Sequence, residues 1–93
     1  MEKVINVPDK NIYIDLIIRE SELKVLLDKR EVDFDINFKY EIQLEKQELQ
    51  KRILEIAEKM ELLEFKNNYS PWQIAVMYDE AKKHLELKEA KHK

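Results

Sequence analysis

Apolar and polar residues alternate strictly over a long central segment of the chain. From Val32 to Leu44 every even position is apolar, and nearly every odd position is charged or carries an amide. A period of two is typical of a β-strand with one buried face and one solvated face. Because a strand with one buried face is strongly restricted in register, this segment predicts a sheet and constrains how neighbouring strands pair with it.

The residues before this segment predict three further strands. Short apolar runs are separated by polar residues, and Pro8–Asn11 has the composition of a tight turn. Folding the chain at each polar segment places the apolar residues of all three hairpins on one common face. The sequence therefore predicts a four-stranded antiparallel β-meander, with strands at about 4–7, 12–18, 23–27 and 32–40.

Residues 21–30 admit a second interpretation. Ser21 could cap a short helix whose inner side carries Leu23, Leu26 and Leu27. Two-residue hairpin loops prefer glycine or asparagine, and the polar segments on either side of 23–27 contain neither. The common apolar face favours a strand, but strand and short helix both stay open here.

The spacing of apolar residues becomes helical in the second half of the chain. Apolar positions recur there in alternating steps of four and three, which is typical of an amphipathic helix. This pattern predicts a helix at about 46–66, with its start between about 41 and 47. Its apolar seam consists of Leu49, Ile53, Ile56, Met60 and Leu63.

A second helix begins at the clearest local signal in the sequence. Ser70 and Gln73 have the spacing of a capping box, and Pro71 suits the first helical position. We expect this helix at about 71–88, followed by a frayed tail at 89–93. The predicted fold is α+β in a single domain, 1–93, with the meander packed under two helices. Its expected core is Ile14, Leu16, Val25, Phe34, Ile36, Phe38, Ile53, Ile56, Met60, Ile74, Met77 and Leu85.

Composition excludes several kinds of chemistry. The 93 residues include no cysteine and no glycine, so thiolate chemistry and glycine-rich phosphate loops are impossible. Glu80 and His84 could offer two metal ligands from one helix face, which is fewer than a zinc site usually needs. We therefore expect no catalytic residues, no cofactor and no metal. No signal peptide or membrane span is apparent, which makes a cytoplasmic location the expectation.

More apolar residues are present than the predicted sheet and helix seams can use. A helix turns by about 100° per residue, and this rotation places Leu54, Leu62 and Phe65 of the first helix well away from its seam. On the second helix Trp72 and Val76 lie opposite the buried stripe. Aromatic residues are enriched in the centres of protein interfaces. The predicted partner-binding residues are Tyr69, Trp72, Val76, Leu54, Leu62 and Phe65.

These observations favour a non-enzymatic protein–protein interaction module. It could be a phage-type accessory protein that acts as an assembly factor or as a small inhibitor of a larger protein. Self-association and a foreign protein partner both fit. The alternative is a nucleic-acid-binding regulator that contacts phosphates through Lys82, Lys83 and Lys88. The small net charge of −3, with interspersed signs, argues against that alternative.

Overall fold

Three long helices make up nearly all of the structure. The computed structural model describes residues 7–91, with side chains described for 7–87. Helix α1 comprises Lys10–Asn37, α2 comprises Tyr40–Asn67, and α3 comprises Pro71–Lys91. No strand occurs within 7–91, so the described part of the chain is an all-α fold and the α+β prediction is wrong.

The predicted β-meander is replaced by a single helix. Helix α1 covers 12–18 and 23–27 and most of 32–40, whereas the strand expected at 4–7 lies outside the described residues except for Val7. The segment from 10 to 37 contains no proline or glycine, and exposed ion pairs at helical spacing join Asp15 to Arg19 and Glu20 to Lys24. Helical propensity and local ion pairs therefore outweighed the alternating pattern. Such a pattern stabilises a strand only where a sheet is present for the strand to pack in.

The helical interpretation of 21–30 is correct in type but wrong in extent. Ser21 lies inside α1 and does not begin a helix. The buried residues of this helix are instead Tyr13, Ile14, Leu16 and Ile17, in which positions 13 and 17 are one helical turn apart. In the predicted strand at 12–18, Tyr13 and Ile17 would face the side opposite to the core residues Ile14 and Leu16, because side chains alternate along a strand, whereas a helix repeats every three to four residues.

Both C-terminal helices are confirmed. Helix α2 begins at Tyr40 rather than near 46, and α3 extends to Lys91, so that residues 89–91 continue the helix. The capping box is present: the Gln73 N–H donates to Ser70 Oγ at 3.1 Å, and the Ser70 N–H donates to Gln73 Oε1 at 2.8 Å. Local signals were sufficient here because a cap is formed within one turn of the chain.

Residues in the left-handed conformation flank the helices of this glycine-free chain. Asp9 precedes α1 with φ 56°, Phe38 follows α1 with φ 52°, and Asn68 follows α2 with φ 49°. The Phe38 N–H donates to the Phe34 carbonyl at 2.7 Å, and the Tyr69 N–H donates to the Glu64 carbonyl at 3.3 Å. Asparagine and aspartate tolerate this conformation, but a phenylalanine in it is unusual.

The buried core is small and lies at one end of the molecule. It consists of residues from the start of α1, the last third of α2 and the first half of α3, together with Val7 and with Tyr69 from the α2–α3 connection. No residue between 18 and 59 is buried, so the far half of the α1–α2 hairpin has only partly covered side chains. The core residues are Val7, Tyr13, Ile14, Leu16, Ile17, Met60, Tyr69, Met77 and Ala81.

The expected core was therefore correct only in part. Four of its members are buried, namely Ile14, Leu16, Met60 and Met77. Val25, Ile36 and Phe38 are exposed instead. These three residues belonged to the inner face of the predicted sheet, and no such face exists once the segment is helical.

The three helices form an open arrangement. Helix α1 packs against both α2 and α3, whereas no described Cα atom of α2 lies within 8 Å of one in α3. The radius of gyration is 16.3 Å, compared with about 12 Å expected for a compact domain of this length. None of the described helices contains an apolar stretch long enough to span a membrane. The open arrangement leaves one whole side of α2 without a helical neighbour.

Candidate interaction surface

A cluster of three tyrosines fixes the end of α2 against α1 and α3. Tyr13 is completely buried, and its hydroxyl donates a hydrogen bond to Glu64 Oε2 at 2.6 Å. Its ring meets the rings of Tyr69 and Tyr78 edge-on, with centroids 5.4 Å and 6.4 Å away. Burial raises the pKa of Tyr13, and the hydrogen bond to the Glu64 carboxylate raises it further. The neutral phenol therefore belongs to the folded state.

A second set of contacts joins the start of α1 to the end of α2. Asp9 Oδ2 accepts hydrogen bonds from Asn67 Nδ2 at 3.1 Å and from Lys66 Nζ at 3.4 Å. The Asn67 hydrogen bond is the main cause that lowers the pKa of Asp9, and the charge of Lys66 adds to it. The Tyr69 hydroxyl donates to the Pro8 carbonyl. Together these contacts hold the last turn of α2 in one orientation, which also fixes its outward side.

The outward side of α2 carries a line of exposed apolar residues with polar residues between them. At about 100° per residue, they fall within an arc of about 80°, opposite the seam that contains Met60. Leu54 is 60% exposed, Leu62 is 69% exposed and Phe65 is 89% exposed, the last being the highest value among the large apolar side chains described. We call this stripe the α2 face; its residues are Tyr40, Leu44, Leu54, Leu62 and Phe65.

The structure divides the six predicted partner-binding residues into different environments. Leu54, Leu62 and Phe65 lie together on the α2 face. Trp72 is 56% exposed on α3, and Val76 on the same helix is half-buried. Tyr69 is buried in the tyrosine cluster and supports the end of α2 from inside. Three of the six are therefore brought onto one surface, and Tyr69 is not on a free surface.

Sequence reasoning missed the exposed apolar residues at the tip of the α1–α2 hairpin. Ile36, Phe38 and Tyr40 are all at least 70% exposed, and Tyr40 continues the α2 face to this tip. They were assigned to a sheet, so their exposure could not be foreseen. Between residues 28 and 48 there are seven carboxylates and four cationic side chains, a net charge of −3 that equals that of the whole chain.

A shallow groove of about 510 Å³ runs between α1 and α3. Its lining combines apolar side chains with one carboxylate and one ammonium group. These residues are Ile17, Ser21, Ala75, Tyr78, Asp79, Lys82 and Leu85. The groove is open to solvent on one side.

The remaining candidate groups are engaged in ordinary surface contacts. Glu80 pairs with Lys10 at 2.6 Å, and Lys83 pairs with Asp79 at 3.3 Å. Lys82 is exposed beside the groove, and the side chain of Lys88 lies outside the described set. No three histidine or carboxylate side chains among those described are placed to share a metal ion.

Comparisons with protein-family models, with curated proteins and with solved structures found no match to this chain.

Proposed function

We propose that this chain is a non-enzymatic protein-interaction module that binds its partner through the α2 face. The observation that supports the proposal most directly is how many apolar residues stay exposed: within residues 7–87, fourteen large apolar side chains are exposed, whereas nine hydrophobic residues are buried. Single exposed apolar residues are normal, but several of them aligned on one side of a helix make that side a candidate interaction site.

The α2 face is the best candidate because its residues are aligned and its C-terminal end is held in place by contacts with the core. Five apolar side chains share one side of a helix about 42 Å long. The helix is held at its C-terminal end by the tyrosine cluster and by Asp9, so binding would cost little ordering of the backbone. An assembly factor or a small inhibitor of a larger protein would both use such a surface.

The proposal predicts that an L62S/F65S variant folds normally but loses association. Both side chains are mostly exposed, so their replacement removes little buried area and should leave helix content and the melting temperature nearly unchanged. The test replaces Tyr40 with a photo-crosslinking amino acid and irradiates the protein in lysate of its native host. We expect an adduct that excess wild-type chain suppresses and excess L62S/F65S does not.

The matched control is Leu87→Ser, which changes an exposed leucine on α3. This variant should compete as well as the wild type does. Absence of an adduct at any concentration, or equal competition by L62S/F65S, would contradict the proposed function.

A further inference from the structure

The polar residues within the α2 face are arranged for pairing with an identical helix. The face follows steps of four and three along α2, and Gln47, Lys51 and Glu58 occupy the positions between its apolar members. Lys51 and Glu58 are both exposed, and neither forms an ion pair within the described residues. A cation and an anion thus lie unpaired on either side of Leu54, in the middle of an apolar stripe.

An antiparallel pairing of two α2 helices satisfies both charges at once. If a two-fold axis passes between Leu54 and Glu55, Lys51 of one copy lies at the height of Glu58 of the other, and the reverse pair forms on the other side of the axis. The same axis places Leu44 at the height of Phe65 and brings the two Leu54 side chains together. An isologous interface requires this kind of self-complementary surface.

From this register we infer that the occupant of the α2 face is a second copy of this chain, in an antiparallel two-fold dimer. This inference rests on the proposed function, and it names the partner of the same surface. Antiparallel helices also oppose their macrodipoles favourably. Packing at a shallow crossing angle would let the contact extend along most of the roughly 42 Å of α2, which suits an interface of normal size.

The pairing makes a specific prediction for charge reversal, measured by sedimentation equilibrium of the full chain. Lys51→Glu creates two like-charge contacts across the axis, and Glu58→Lys does the same. We expect each variant to weaken the dimer about tenfold. The double variant K51E/E58K exchanges the two charges, and it should restore the dissociation constant to within about threefold of wild type.

Two controls separate the interface from effects on folding. Arg19→Glu makes the same charge change on α1 and should leave the dissociation constant unchanged, since Arg19 pairs with Asp15 away from the α2 face. Circular dichroism should give equal helix content for all variants, because every substituted side chain is exposed.

The outcomes distinguish this inference from the proposed function. A dimer whose affinity in the single variants is unchanged from wild type, or is not restored in the double variant, would overturn the antiparallel register. A wild-type chain that stays monomeric at the highest soluble concentration would overturn the second copy as partner. That monomer could still form the crosslink from position 40, with no suppression by excess L62S/F65S, and the proposed function would then stand with a foreign partner. If it formed no crosslink, both this inference and the proposed function would fall.

Discussion

At the scale of single residues, Tyr13 has the largest structural role among the polar side chains described. It is fully buried, its hydroxyl is satisfied by Glu64, and its ring touches aromatic residues from the end of α2 and from α3. A buried phenol without a partner would cost free energy, so the Glu64 hydrogen bond is what permits tyrosine at this position.

We expect Tyr13→Phe to show a pH-dependent change of sign. At pH 7 the variant should be less stable by about 1 kcal/mol, because one hydrogen bond is lost. The folded-state pKa of Tyr13 is raised, so its contribution is complete below the unfolded-state value of about 10 and is lost as the pH rises above it. Above pH 10 the wild type should therefore lose its advantage by up to about 1.4 kcal/mol per pH unit.

Urea unfolding between pH 7 and pH 11.5 measures this difference. Tyr40→Phe is the matched control, since Tyr40 is exposed and the same hydroxyl is removed. A constant gap between wild type and Tyr13→Phe across the whole pH range would contradict the buried, protonated phenol.

At the scale of elements, α1 is followed by a residue, Phe38, that is poorly suited to its backbone conformation. Phe38 has φ 52° and ψ 32°, a region that costs a non-glycine residue about 1–2 kcal/mol. Its ring contacts Phe34 edge-on but stays 72% exposed. This position reverses the chain between α1 and α2, and therefore determines where the hairpin tip lies.

Two substitutions of Phe38 should differ in a defined order. Both Phe38→Gly and Phe38→Ala remove the ring contact, so their difference reports the backbone alone. Phe38→Gly should be more stable than Phe38→Ala by about 1 kcal/mol in thermal unfolding, because glycine adopts positive φ without strain.

The helix interior provides the reference pair for this comparison. At Val32, an exposed position inside α1, alanine should be more stable than glycine by about 1 kcal/mol. The same order at both positions would contradict a helix that runs through Val32 and ends just before Phe38.

The elements differ in how far their sequence predicts them. Helix α3 could be predicted because Ser70, Pro71 and Gln73 form a local signal, and most of α2 could be predicted from its apolar seam. Helix α1 could not be predicted, because the alternation from Val32 onwards fits a strand. The buried residues of α1 also begin with the neighbours Tyr13 and Ile14, which a strand would place on opposite faces. The informative signal was the lack of glycine at the expected hairpin turns, together with ion pairs at helical spacing.

At the scale of the whole molecule, the small core and the open α2 face are two aspects of one arrangement. With α1 between α2 and α3, only one end of the hairpin is covered on several sides. The sequence showed that Leu54, Leu62 and Phe65 exceed what a single seam can bury. It could not show that Tyr69 would be buried, since Tyr69 packs on Tyr13 at the start of α1. Nor could it show that Tyr40 and Leu44 would extend the stripe, since that depends on α2 beginning at Tyr40.

The most direct test of the account is the protection of a single thiol on the α2 face. The chain has no cysteine, so L62C carries the only thiol, and L87C supplies a matched exposed position on α3. Their rates of reaction with a maleimide are compared in dilute purified protein, in concentrated protein and in native lysate. If the α2 face binds a partner, L62C reacts several-fold more slowly in at least one of the last two conditions while L87C does not change; equal rates for L62C in all three would contradict binding through this face.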